Sequence, residues 1–142
     1  MTVKQILDQK GRDVVTVSPS MGTADAIRFL ADNKIGAVVV TGSGGKIAGI
    51  LSERDIVRAM AKKGADALAA PISNIMTAKV TTCGESHSVN QVMELMTNGR
   101  FRHLPVEEDG KLIGIISIGD VVRRRIEDVE REAEEIKAYI AG

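Results

Sequence analysis

The chain has 142 residues, of which 44% are hydrophobic and 27% charged, with 19 basic and 19 acidic side chains balancing to zero. That length allows one ordinary domain or two very small halves, and the zero net charge removes any global pull toward nucleic acid or an anionic membrane. Two Phe, one Tyr and no Trp are too few for the stacking platforms of a single-strand binder, and they leave the core to Val, Ile, Leu, Met and Ala.

In chain order, Val3 to Gln9 reads as a short helical segment with Val3, Ile6 and Leu7 on one side. Asp13 to Val17 reads as a brief strand stopped by Ser18-Pro19. A helix is expected from Thr23 to Asn33, where Ala26, Ile27, Leu30 and Ala31 recur near the helical period. Gly36 to Thr41 is a β-branched strand and Lys46 to Leu51 its return, joined by the turn Gly42-Ser43-Gly44-Gly45. Ser52 opens a helix carrying Ile56, Val57 and Met60. After a small-residue connection the series restarts: Val80-Thr81-Thr82 as a short strand, and a helix capped by Ser88 with Gln91 completing a capping box. Phe101 to Val106 and Lys111 to Ile116 then form a second hairpin, and Ser117 begins a last helix that runs unusually far.

Two stretches carry the repeat. Gly49-Ile50-Leu51-Ser52-Glu53-Arg54-Asp55 is echoed by Gly114-Ile115-Ile116-Ser117-Ile118-Gly119-Asp120, with serines and aspartates each 65 residues apart. Thr16 and Thr82, and Ala37 and His103, stand 66 apart. Each half is therefore expected to be β-α-β-β-α, an α/β (α+β) architecture with a helical lead-in. A half of about 60 residues buries too little surface to be comfortable alone, so the two small sheets are expected to pack as one module.

Ser-x-x-Asp has two readings. It is a capping signature, with Ser on the exposed amides and Asp in the first turn where the helix dipole favours it. Asp is shorter than the usual Glu or Gln at the reach-back position, and both copies follow a Gly-Ile strand, which places a carboxylate at a strand-to-helix corner. Such corners favour ligands. A carboxylate there accepts hydrogen bonds from ribose hydroxyls, and helix amides take a phosphate.

Past Asp120, Val121, Val122, Ile126, Val129, Ala133, Ile136 and Ile140 form an apolar stripe in a charged helix, which calls for a partner, most simply the same helix of a second chain. Arg123-Arg124-Arg125 reads as a solvated helix face. Cys83 is the single cysteine, so no intramolecular disulfide forms and a reducing compartment is expected. No apolar run approaches the roughly 20 residues of a membrane span, and no signal-peptide core follows Met1. A cytoplasmic protein is expected. Two histidines and one cysteine offer no metal-ligand spacing. His87 reads as an exposed loop residue, and a Cys83–His87 nucleophilic pair would lack an orienting third group. No catalytic residues are assigned.

The tandem pattern resembles paired CBS domains, the cystathionine-β-synthase repeats of a Bateman module. It runs from about residue 3 to 125 through Val14-Val15-Thr16-Val17, Asn33 to Val40, Gly49 to Val57, Met76-Thr77, Val80-Thr81-Thr82, Arg102-His103-Leu104-Pro105-Val106 and Gly114 to Val122. The resemblance implies two repeats related by a pseudo-two-fold axis: residues 1–70 with the lead-in, 71–125, and a helical extension over 126–142. It implies a non-enzymatic regulatory module that binds AMP, ADP, ATP or NAD, or S-adenosylmethionine, between the repeats. It also implies a homodimer through the CBS helices, with the C-terminal helix as a further surface, and a protein effector. At the first site it places Asp55 on the ribose with Ser52 and Arg54 beside it, and Thr16, Ile35, Gly36 and Ala37 around the adenine. At the second, Asp120, Ser117, Gly119, Thr82, Phe101, Arg102 and His103 take the matching parts. In related modules the pair before Leu-Pro-Val meets the phosphate over the other repeat's site. Here that pair is Arg102-His103, against Gly36-Ala37 in the first repeat, so the Asp55 site is expected to hold a phosphorylated ligand more tightly. The competing reading is a constitutive dimerisation scaffold in which both Ser-x-x-Asp units only cap helices.

Overall fold

A computed structural model describes residues 1–141. Its helices are α1 (Val3–Lys10), α2 (Thr23–Asp32), α3 (Glu53–Lys63), α4 (Val89–Gly99) and α5 (Ile118–Ala141), and its strands β1 (Thr16–Val17), β2 (Ala37–Thr41), β3 (Ile47–Ser52), β4 (His103–Glu108) and β5 (Lys111–Ser117). Small sheets flanked by helices, repeated along the chain and finished by a long helix, give the expected mixed α/β class. Two compact units result. One comprises Asp13–Thr81 with Glu108–Ile113, the other Met1–Arg12, Thr82–Glu107 and the chain from Gly114 onward.

In the first unit β2 is the central strand of the order β1-β2-β3, parallel to β1 and antiparallel to β3. Being covered on both faces, it buries Ala37, Val38, Val39 and Val40 in succession rather than alternating. Val38, Val40 and Leu51 pack with Val17, Ala26, Leu30 and Ile72. The first strand is shorter than expected: only Thr16 and Val17 find partners, Val39 and Val40, while Val15 is 51% exposed.

The expected strand at Val80–Thr82 is absent. Among the described residues, the second repeat has only the two-stranded sheet of β4 and β5 and a lone parallel bridge between Cys83 and Val106. That bridge is the counterpart of Val17–Val40. It uses the Cys83 N–H on the Pro105 carbonyl (3.0 Å) and the Glu107 N–H on the Cys83 carbonyl (2.9 Å). The preceding rung of a parallel ladder would draw on the N–H of residue 105, and proline has none. The first repeat has Val39 at that place, so its ladder extends where the second stops.

The second unit buries Val3, Ile6 and Leu7 of α1, Val89, Val92 and Met96 of α4, and Leu104, Val106, Ile116 and Val121. Backbone bonds tie the start of α1 to the loop before α4: Val3 N–H to the His87 carbonyl at 2.9 Å and Val89 N–H to the Met1 carbonyl at 3.1 Å. His87 is accordingly half-buried, not the exposed loop residue expected, and its Nδ1 accepts the Gly84 N–H at 2.9 Å.

The glycines that open the two repeated stretches both mark close approaches. A Cβ on Gly49 would stand 2.7 Å from the Thr77 carbonyl oxygen and 2.8 Å from Met76 Sδ, and one on Gly114 would stand 2.8 Å from Leu7 Cδ2. At Gly49 the obstacle includes backbone pinned to the next residue of β3: Ile50 N–H to the Thr77 carbonyl and Thr77 N–H to the Ile50 carbonyl, each 2.9 Å. At Gly114 it is the end of a side chain. Gly49→Ala should therefore destabilise the protein by about 1–3 kcal/mol, as overpacking does, and Gly114→Ala by less. Urea unfolding of the two variants checks the order; an equal or reversed cost would contradict it.

Candidate functional site

The two Ser-x-x-Asp units form alike and are then finished differently. At the first corner β3 ends at Ser52 and α3 begins. Asp55 Oδ2 accepts the Ser52 N–H (3.0 Å) and the Ser52 hydroxyl (3.1 Å), and the Asp55 N–H donates to Ser52 Oγ at 3.3 Å. At the second, Asp120 Oδ2 accepts the Ser117 N–H (2.9 Å) and the Asp120 N–H donates to Ser117 Oγ (3.2 Å). The shorter aspartate thus closes the capping box at both corners, contrary to the expectation that it reaches back poorly. The first amide of each helix is satisfied in parallel fashion, Glu53 N–H on the Gly36 carbonyl (3.0 Å) and Ile118 N–H on the Arg102 carbonyl (2.8 Å).

The remaining partner of each carboxylate comes from a lead-in segment. Asp55, 7% exposed, accepts the Thr77 hydroxyl on Oδ1 at 3.0 Å; the Arg58 guanidinium reaches only to 4.0 Å from the exposed side. Asp120 instead takes the Lys10 ammonium on Oδ2 at 2.6 Å, while the same Nζ donates to the Ile115 carbonyl at 2.8 Å. Burial opposes ionisation of Asp120, but the bonds from Lys10 and the Ser117 amide outweigh it and hold the carboxyl below its ordinary value of 3.8.

Around the first corner the structure gathers Ile35, Gly36, Ala37, Ser52 and Asp55: Ala37 pairs with Ser52 across β2 and β3, Ile35 and Gly36 lead into β2, and Arg54 is exposed on the first turn of α3. Thr16 is exposed on β1, opposite Val39. Around the second, Arg102, Ser117, Gly119 and Asp120 come together at the start of α5, with half-buried His103 opening β4 and Phe101 bonded through its N–H to the Met96 carbonyl at 3.2 Å. Thr82 donates its hydroxyl to Glu107 at 3.0 Å. Arg102 and His103 belong to the unit that holds Asp120, and Asp55 to the other.

Sequence reasoning missed Lys10 and Thr77 as partners of the aspartates. A cavity of about 110 Å³ runs beside Lys10 and Asp120, between α1 and α5; small-molecule sites span about 300–1,000 Å³, so it is too small for a nucleoside. Cys83 is buried and its thiol is pushed up to about 12 by burial, which makes it a poor nucleophile. Among the described residues no three His, Cys, Asp or Glu side chains cluster to hold a metal ion, and no helix is long and apolar enough to cross a membrane.

The CBS domain family matches this chain twice, over residues 3–62 and 72–127. The chain belongs to the CBS domain family. The CBS pair is a non-catalytic regulatory module. The crystal structure of the CBS-domain containing protein ATU1752 from Agrobacterium tumefaciens is 53% identical and superposes with a TM-score of 0.85 over 88% of this chain and 99% of that one. The mitochondrial CBS domain-containing protein CBSX3 of Arabidopsis thaliana is 32% identical over 99% of this chain and 72% of its own length. The CBS domain pair of protein MJ0100, solved in complex with 5′-methylthioadenosine and S-adenosyl-L-methionine, is 26% identical with a TM-score of 0.79, covering 90% of this chain and 98% of that one.

The depressed Asp120 carboxyl fixes the sign of a pH effect. A carboxylate held below its unfolded value contributes stability that is present above that value and is lost as pH falls through the folded one. Lys10→Met keeps the aliphatic stem and removes the ammonium, leaving burial to act against ionisation. Asp120 should then titrate at higher pH than in the parent protein, in carboxyl-detected NMR; an unchanged titration would remove Lys10 as the cause.

Proposed function

We propose that this CBS pair is a regulatory module that binds an adenosine-containing ligand through its Ser-x-x-Asp corners and passes the bound state on as a change of conformation or assembly. The candidates are AMP, ADP, ATP, NAD and S-adenosyl compounds, and the reader is a protein effector or the module's own homodimer. The observation that carries this reading is Asp55: a buried carboxylate at a strand-to-helix corner whose outer oxygen already receives a neutral hydroxyl, that of Thr77, at 3.0 Å. A ribose hydroxyl is a donor of the same kind. The MJ0100 pair, solved with two adenosine compounds, supports the ligand class. Population shift supplies the mechanism, since a ligand moves the equilibrium by as much as it prefers one pose.

The two corners are proposed to differ in affinity. At Asp55 a ligand hydroxyl joins or replaces a neutral donor, an exchange of bonds each worth about 0.5–1.5 kcal/mol. At Asp120 it meets an ammonium in a charge-assisted bond, roughly twice as strong. The Arg102-His103 pair, expected from the resemblance to meet the phosphate of an Asp55-held ligand, adds in the same direction. Titration calorimetry with AMP should show one dominant site, weakened about tenfold or more by Asp55→Asn and little by Asp120→Asn. Equal losses would sink the asymmetry. Lys10→Met should raise the stoichiometry from one toward two.

The scaffold reading keeps one observation in its favour: both capping boxes are complete without a ligand. Thermal unfolding with AMP, ATP, NAD and S-adenosylmethionine separates the two. A ligand at 100 times its Kd adds about 2.7 kcal/mol; a scaffold gains nothing from any of them.

A further inference from the structure

The last helix presents two faces of different character. Toward its own unit, α5 packs on α4 and α1, buries Val121 and Asp128, and holds Arg124 Nε 3.4 Å from Asp128 Oδ1. Away from it, Val122, Ile126, Val129, Ala133, Ile136 and Ile140 succeed one another at intervals of four, three, four, three and four residues. The five large ones are between 43% and 77% exposed. Alternating steps of three and four make a seam of period 3.5, the spacing of a two-stranded coiled coil. Ile126, Ala133 and Ile140 fall at the a positions, and Val122, Val129 and Ile136 at the d positions. The seam is about 27 Å long at 1.5 Å per residue.

We propose that this stripe docks against the same stripe of a second copy of the chain, with the two helices parallel and in register. Charge complementarity selects both occupant and direction. In a parallel pair the residue before each a position faces the residue after the d position in the following heptad of the other helix. Here Arg125 faces Glu130 of the second copy and Glu132 faces Lys137, and symmetry doubles both, so four opposite-charge pairs flank the seam. The antiparallel arrangement that buries the same six layers sets Glu130 against Glu130, Glu132 against Glu132 and Arg123 against Lys137. Every one of those pairs is repulsive. The proposal does not depend on the ligand reading, since none of these side chains belongs to the Ser-x-x-Asp corners.

Sedimentation velocity on the full chain across a concentration series tests it. The parent should dimerise, and Ile126→Asp with Ile136→Asp should weaken the dimer at least tenfold while leaving the circular dichroism of the module in place. Arg125→Glu should weaken it too, and Arg125→Glu combined with Glu130→Arg should restore it. Val122→Cys should cross-link to itself under mild oxidation, as only the parallel register allows, against the background of a buried Cys83. A monomeric parent, or a dimer indifferent to the aspartates, overturns the proposal. So does a monomer that sediments with phosphatidylserine vesicles through the stripe, which would give the face to a membrane. A charge swap that fails to restore the dimer, or a Val122→Cys variant that cross-links only when Ile140→Cys is also present, overturns the parallel register.

Discussion

The absence of a Cβ at Gly49 and Gly114 is the constraint on which the rest of the arrangement depends. Each glycine lets a segment from outside its repeat lie directly on a strand: Met76-Thr77 on β3, and Leu7 of α1 on β5. The segments cross over, because the lead-in of the second repeat covers the first repeat's sheet and the N-terminal helix covers the second's. This is why α1 groups with residues from Thr82 onward while Thr77 groups with β1 to β3. The same contacts carry the polar chemistry: Thr77 arrives with its hydroxyl on Asp55, and three residues past Leu7 comes Lys10 with its ammonium on Asp120. Packing and electrostatics are thus set by one approach at each corner.

That coupling explains how two identical local designs acquire different chemistry. A buried carboxylate is costly unless hydrogen-bonded, and the backbone amide of a serine three residues earlier supplies the same relief in both copies, with the serine hydroxyl added at Asp55. What completes the set is not local. Asp55 receives a neutral hydroxyl, with the Arg58 guanidinium 4.0 Å away on the exposed side; Asp120 receives an ammonium. The ion pair at Asp120 is 36% exposed on the lysine side and so softened by water.

Legibility in the sequence followed the distance between interacting residues. The period of 65 to 66, the helices, both hairpins and all three serine caps depend on neighbours within a turn or two, and they were readable. Lys10 lies 110 residues from Asp120 and Thr77 lies 22 from Asp55, and no periodicity links such pairs. Gly49 and Gly114 were nonetheless a signal: a glycine inside an apolar strand suggests a close backbone approach, though not which segment makes it. Pro105 was a second one. Its missing N–H forbids the rung that a strand at Val80–Thr82 needs, so proline chemistry overrides the repeat at that place. His87 is tied through its carbonyl to the Val3 N–H of the N-terminal helix, and nothing in its own loop foretells that contact.

The run Arg123-Arg124-Arg125 shows how a helix turns one charge block into three separate roles. At 100° per residue, consecutive side chains cannot share a face. Arg123 turns back to within 3.9 Å of Asp120 Oδ1. Arg124 is 11% exposed against Asp128, with an Nη 3.1 Å from Met1 Sδ. Arg125 points into solvent beside the apolar stripe. A basic patch of the kind that tracks phosphates needs its cations convergent, and these diverge: one attends the second corner, one fastens α5 to its own unit, and one stands at the edge of the surface left over. The helix that caps the second repeat is by the same geometry the helix with an exposed apolar face, so what α5 buries in its own unit and what it leaves exposed are separated by rotation about its axis rather than by position along it.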